Sequence, residues 1–177
     1  MSPFLRLRAY GFALALAVFA LDRAIKWYVS GPLQLQYVRV IELFPFFALR
    51  WTENFGISLG LFTATSSEMR LGLLALTGAI ALGVAIWMWR EKAWGDVAGL
   101  AFVLGGALGN IVDRSTRGYV IDYADLHFGE WRPFLIFNLA DAAITLGVLI
   151  LLARSLLSRK KPTQVAEAPE APAPENV

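Results

Sequence analysis

The sequence predicts an all-α membrane protein of four transmembrane helices, with a small extramembrane segment after the first helix that carries a strand-like stretch. Three observations predict it. Of the 177 residues, 57% are hydrophobic and only 17% charged, and the mean hydropathy is +0.55; a soluble domain of this size has too little interior for so much apolar surface. The apolar residues gather into four long segments rather than many short alternating ones, which favours helices over a barrel. Lys and Arg collect near the ends of those segments, as membrane helices prefer.

The first segment runs from about Tyr10 to Val29, interrupted near its far end by Asp22, Arg23 and Lys26. With Arg6 and Arg8 before it, it also resembles a cleavable secretory signal. The apolar pattern resumes through Ala24, Ile25, Trp27, Tyr28 and Val29, so it reads as a retained helix, with Trp27 and Tyr28 as interfacial anchors. From Ser30 to Glu68 the chain is mixed, with turn signals at Gly31-Pro32 and Pro45, and the alternation over Leu33 to Val40 fits a strand. Leu71 to Trp89 is uncharged and exits through Arg90-Glu91-Lys92, which makes it the clearest span. Val97 to Val112 is the third, glycine-rich and ending at Asp113-Arg114, and Phe134 to Leu157 the fourth, with Asp141 inside it. A polar, aromatic connection with Gly118, Asp122, Asp125 and Trp131 joins them. The predicted organisation is one helical domain over 1–161 and a Pro, Ala and Glu-rich tail over 162–177 with no apolar period, expected to be disordered.

The formal net charge of +2 is too small and too scattered for a nucleic-acid surface. With no cysteine there is no disulfide, no thiolate nucleophile and no cysteine-bound metal. A single histidine, His127, cannot build a metal site alone, and its place in a connecting segment suggests a surface or interfacial role. No metal and no cofactor are expected. An even number of spans puts both termini on one side. The Lys and Arg count ties between the two sides, but Arg159-Lys160-Lys161 is an uncompensated basic flank, which leans toward cytoplasmic termini.

An ionisable group at membrane depth costs several kcal/mol or so, and is a functional hypothesis by default. Asp141 follows Asn138 by one helical turn, so both are expected on one face of the fourth helix. Taken alone, that pair reads equally well as polar packing between helices. On the third helix, Gly105 and Gly109 allow close backbone approach, and Asn110, Asp113 and Arg114 follow on a related face; an ion pair between Asp113 and Arg114 is the plain alternative. Asp122 sits among apolar and aromatic residues after the turn signal at Gly118. By itself it reads as an exposed loop carboxylate, but the third helix ends near where the fourth begins, so Asp122 and Asp141 can share one membrane face. Two carboxylates sharing a proton can activate water for amide hydrolysis. The same pair can instead relay protons through a small carrier or channel, although the chain shows no pair of related halves.

Together these blocks resemble the lipoprotein signal peptidases, the type II signal peptidases of bacteria. The matching elements are Asp22-x-x-x-Lys26, Asn54-x-Gly56, Gly-Gly-x-x-Gly-Asn-x-x-Asp-Arg at 105–114 (with Gly109, Asn110, Asp113 and Arg114), Gly-x-Val-x-Asp-Tyr at 118–123, and Phe-Asn-x-Ala-Asp at 137–141 (with Asn138 and Ala140). The resemblance implies an inner-membrane aspartic endopeptidase with cytoplasmic termini and a site near the outer face. It implies removal of the signal peptide from diacylglyceryl-modified prolipoproteins, just before the lipidated cysteine. It implies Asp122 and Asp141 as the catalytic pair, with the other named residues shaping the site or contacting substrate. The expected partners are lipid-modified prolipoproteins and membrane lipid, and the expected state is a monomer. Two departures stand out: Pro133 precedes Phe134-Leu135-Ile136 where the family often has Phe-Pro shortly before Phe-Asn, and Leu59 stands where an aromatic is frequent.

Overall fold

A computed structural model of the chain describes residues 2–56 and 67–158. The expected disordered tail, the Arg159-Lys160-Lys161 flank and Leu59 lie outside the described residues. In chain order the elements are α1 (Pro3–Ser30), α2 (Leu35–Val38), β1 (Val40–Phe44), β2 (Phe47–Asn54), α3 (Ser67–Arg90), α4 (Trp94–Arg117), β3 (Val120–Leu126) and α5 (Leu139–Ser158). Four of them, α1, α3, α4 and α5, are long and apolar enough to cross a membrane.

The helices α1 and α4 run the same way, so their C-terminal ends lie together with the sheet and the start of α5, while both ends of the described chain lie opposite. α1 opens on Pro3 with the Ser2 hydroxyl accepting from Leu5 N, an N-cap that sets the first turn. α4 is the central helix: half of its apolar window is buried, against 17% or less for the other three. Met88 of α3, Ala15 of α1 and Val97, Leu100 and Leu104 of α4 form the core between the helices. Close approach comes from small residues. A side chain at Gly105 would strike the Ala15 carbonyl of α1, and one at Gly109 would strike the Asp22 carboxylate. α4 ends at Gly118, whose φ of +81° lets its N–H return to the Arg114 carbonyl at 3.1 Å, a left-handed cap that glycine takes without strain.

The strand content differs from the sequence reading in two ways. Of the alternating stretch Leu33 to Val40 only Val40 enters a strand, as the first residue of β1: Gln34 and Arg39 take φ of 48° and 73°, and these positive-φ residues bracket the short helix α2. The sheet, ordered β1-β2-β3 and antiparallel throughout, also takes a strand from the connection between α4 and α5. β3 was invisible to periodicity because Val120 to Asp125 are buried on both faces, so no apolar–polar alternation appears. The fourth helix also starts later than its apolar run suggests. Residues 134–138 lie before the helix, Phe134 in a bend, and Phe137 bridges to Ala124 on β3. His127, read as a surface residue, is 8% exposed, and its backbone N–H donates to the Phe46 carbonyl at 3.0 Å.

Candidate active site

Asn138 is the hinge of the site. It lies one residue before α5 rather than on its face, and its Oδ1 accepts from Asp141 N at 2.9 Å while its own N donates to Asp141 Oδ2 at 3.3 Å. This reciprocal pair is a capping box, with an aspartate in the return position. The other first-turn donors of α5 are satisfied by side chains too: Leu139 N donates to the Tyr123 hydroxyl at 3.1 Å and Ala140 N to Asp22 Oδ1 at 3.1 Å. A helix start would otherwise leave these N–H groups unpaired. The result ties α5 to β3 and to α1 at the residue that carries Asp141.

The Asn138 side chain reaches the second carboxylate. Its Nδ2 donates to Asp122 Oδ1 at 2.6 Å, so one residue holds Asp122 by its amide and Asp141 by its backbone. Asp122 is buried on β3 at 2% exposure rather than in an exposed loop. Its other oxygen accepts from Asn54 Nδ2 at 3.0 Å. Asn54 is turned that way because its Oδ1 accepts from Gly56 N at 3.1 Å, an Asx turn that fixes the amide. The Gly56 carbonyl in turn accepts from the Arg114 guanidinium at 3.1 Å, and the enclosed Arg114 Nε has no hydrogen-bond partner among the described residues.

Asn110 completes the ring. Its Nδ2 donates to Asp141 Oδ1 at 2.8 Å, and its Oδ1 accepts from Lys26 Nζ at 3.1 Å and Asn138 Nδ2 at 3.3 Å. Lys26, fully buried, is ion-paired with Asp22 at 3.0 Å and Asp113 at 2.9 Å. Asp113 does not pair with its neighbour Arg114. It turns to the other side of α4, where Arg23 and Arg117 also bind it.

Asp122 and Asp141 open on a common cleft of about 1060 Å3, walled by Phe134, Leu135 and Ile136 on one side and Thr145 and Leu149 of α5 on another. The cleft is mostly apolar, with Asp122 and Asp141 in its wall, a form that fits an extended chain with apolar side chains. Burial raises the Asp122 carboxyl, the neighbouring Asp141 charge raises it further, and the Asn54 and Asn138 amides only partly offset this; it lies at about 7. A carboxyl poised there can hold or release a proton near neutrality.

The structure therefore brings together Asp122, Asp141, Asn54, Gly56, Asn110, Arg114 and Asn138, with Asp22, Lys26, Gly109, Asp113 and Ala140 supporting them from the α1–α4–α5 contact. Sequence reasoning gave no role to Tyr123, which anchors the start of α5; its place beside Asp122 in the same block was the available signal. It also passed over Arg50 and Arg132, which both bind the buried Asp125 carboxylate.

Such a fold and site define a small helical membrane-type enzyme with an acid pair at one end of its bundle. A family model described as signal peptidase (SPase) II matches residues 14–157, and the chain belongs to that family. Among its relatives, the lipoprotein signal peptidase of Sphingopyxis alaskensis is 53% identical over 168 residues, covering 95% of each chain. That of Rhizorhabdus wittichii is 53% identical over 153 residues, covering 86% of this chain and 89% of its own. A solved bacterial membrane enzyme, determined by the in meso method at 2.3 Å resolution, superposes with a TM-score of 0.74 over 89% of this chain and 94% of its own. At 23% identity, that likeness speaks for the fold. Membership of a peptidase family leaves the carrier or channel reading without support.

Proposed function

We propose that the chain is an intramembrane aspartic endopeptidase that removes the signal peptide from diacylglyceryl-modified prolipoproteins, cutting just before the lipidated cysteine. The observation that carries this reading is Asn138 holding both Asp122 and Asp141 in the wall of one apolar cleft. One carboxylate takes a proton from the attacking water as the water oxygen bonds to the scissile carbonyl carbon. The protonated partner donates to the carbonyl oxygen; as the C–N bond breaks, the proton taken from water passes to the leaving amine and a hydroxyl of the tetrahedral carbon returns its proton to the partner, which re-forms the C=O and restores the pair. Which aspartate holds the proton at the start is a property of the pair. Asn54, Asn110 and Asn138 keep both acids oriented, and Arg114 stands near both as a donor for substrate backbone.

We also place the chain in the bacterial inner membrane with its termini cytoplasmic and the site at the outer face; the four helices long and apolar enough to cross a membrane support only the multi-pass part of that reading. We take the working unit to be a monomer, in keeping with an acid pair held by amides of its own chain. The substrate brings acyl chains into the bilayer, each buried methylene contributing about 0.8 kcal/mol, and the enzyme has only to clamp peptide at the interface. The test is cleavage of lipidated and unlipidated precursor by detergent-purified protein, with and without a metal chelator or a thiol reagent. The lipidated form is cut and neither reagent matters. Equal cleavage of both forms overturns the lipoprotein reading, and chelator inhibition reversed by metal overturns the aspartic one.

A further inference from the structure

A second hollow of about 240 Å3 lies where the C-terminal ends of α1 and α4 meet β2, lined by Arg23, Trp27, Gln36, Trp51, Arg117 and Tyr119 among others. It shares no lining residue with the acid cleft. Arg23 and Arg117 converge there, each giving one NH1 to the same oxygen of Asp113. Asp113 is also bound by Lys26, which is bound in turn by Asp22. Three cations thus share two carboxylates. Lys26 is sealed at 0% side-chain exposure while Arg23 and Arg117 keep 26% and 33%, so the surplus positive charge faces the hollow.

The plain account of Arg117 is that a cation in the last turn of α4 complements the helix dipole. It does not extend to Arg23, since α1 has no basic residue in its last turn. Among the described residues no carboxylate lines the hollow to absorb the surplus, and Glu53, which accepts from the Trp51 indole at 3.3 Å, pairs with neither arginine. Trp27 stands at the mouth, 66% exposed, and tryptophan at a membrane span's end marks the headgroup level. Two guanidinium groups held side by side, each with N–H donors that have no acceptor among the described residues, match the oxygens of a phosphate ester better than any other common anion at that depth.

We propose that this hollow binds the phosphodiester of an anionic phospholipid headgroup, gripped by Arg23 and Arg117 beneath Trp27. The site stands apart from the peptidase chemistry and clamps lipid where α1 meets α4. The test is retention of phosphatidylglycerol by the full-length protein in mixed micelles, read by native mass spectrometry. Phosphatidylcholine and inorganic phosphate are the comparison arms. Wild-type protein retains phosphatidylglycerol over phosphatidylcholine, and added inorganic phosphate competes for the same place.

Arg117→Gln weakens retention by about tenfold, the loss of one charge-assisted pair. Gln36→Glu does the same without removing any partner of Asp113, which separates headgroup binding from damage to the ion cluster. Retention unchanged in Gln36→Glu and Arg117→Gln overturns the proposal. Binding of inorganic phosphate with no retention of lipid assigns the anion to solution and overturns the headgroup assignment. Cleavage of lipidated precursor, measured on the same samples, reports separately on the peptidase reading.

Discussion

Asp122 and Asp125 lie three residues apart on β3, both shut away at 2% and 0% exposure, yet their surroundings are opposite in kind. Asp122 accepts from two neutral amides, Asn54 and Asn138. Asp125 accepts from two guanidinium groups, Arg50 at 2.8 Å and Arg132 at 3.1 Å. Burial pushes both carboxyls up. At Asp122 the Asp141 charge adds to that push and the carboxyl reaches about 7. At Asp125 the hydrogen bonds and charges of Arg50 and Arg132 outweigh burial and hold the carboxyl below its ordinary value. Burial alone therefore does not separate the acid proposed to work from one that only braces the fold. A carboxylate paired with cations is locked in its charged form, while one held by amides beside a like charge keeps a proton it can exchange.

The largest effect that can break this comparison is on turnover. Asp122→Asn and Asp141→Asn each lower cleavage by about 10³-fold or more, the scale of losing a general acid or base, with the protein still folded in detergent. Asp125→Asn keeps most of the rate. The measurement is initial cleavage rate for the three purified variants, with circular dichroism as the folding control. An Asp125→Asn protein as inactive as Asp122→Asn shows that the cation-paired acid also takes part in the chemistry.

The half of the comparison that belongs to the site was legible in the sequence, and the other half was not. Asp141 stood out because a carboxylate in an apolar helix is costly, and Asp122 because the third helix ends near where the fourth begins, which lets it share a membrane face with Asp141. The support of Asp125 was hidden because Arg50 lies 75 positions away, and no local spacing encodes a pairing across two strands. Asn138 was found but misplaced. The apolar run from Phe134 reads as helix, whereas the chain spends those residues on the cleft wall and starts α5 only where Asn138 can cap it. The plain alternative of an Asp113–Arg114 ion pair also fails, because adjacent positions on a helix point some 100° apart, about a quarter turn, and the two side chains went to different partners.

A smaller effect sharpens the amide side of the comparison. Asn54 donates to Asp122 and favours its charged form, so Asn54→Ala lets the Asp122 carboxyl rise further above about 7. Cleavage needs the pair to keep one proton, and the alkaline fall in rate marks its loss. The alkaline limb begins near neutrality in the wild type and moves to higher pH in Asn54→Ala, while the maximum rate drops. Rate–pH profiles of the two proteins decide this, and a limb that stays put or moves down removes Asn54 from control of Asp122.

The smallest effect is on stability, and its sign separates the two aspartates most directly. Asp122 has its folded value raised from 3.8 to about 7, so its contribution to stability is full below the ordinary value and is lost as pH rises through about 7. Asp125 has its folded value lowered from 3.8, so its contribution is present above the ordinary value and is lost as pH falls through the folded one. An asparagine titrates at neither position and serves as a flat reference. The melting temperature of Asp122→Asn therefore gains on the wild type as pH is raised from about 4 to about 8. That of Asp125→Asn loses ground to the wild type as pH is raised from strongly acid toward neutrality. Each substitution also carries a constant cost, because an amide cannot accept at both of its ends, but a constant cost does not alter the slope against pH. Thermal unfolding of both variants and the wild type in one detergent gives the two slopes. Slopes of the same sign mean that the arginines around Asp125 do not compensate its burial, and that the contrast between the two carboxylates does not lie in their partners.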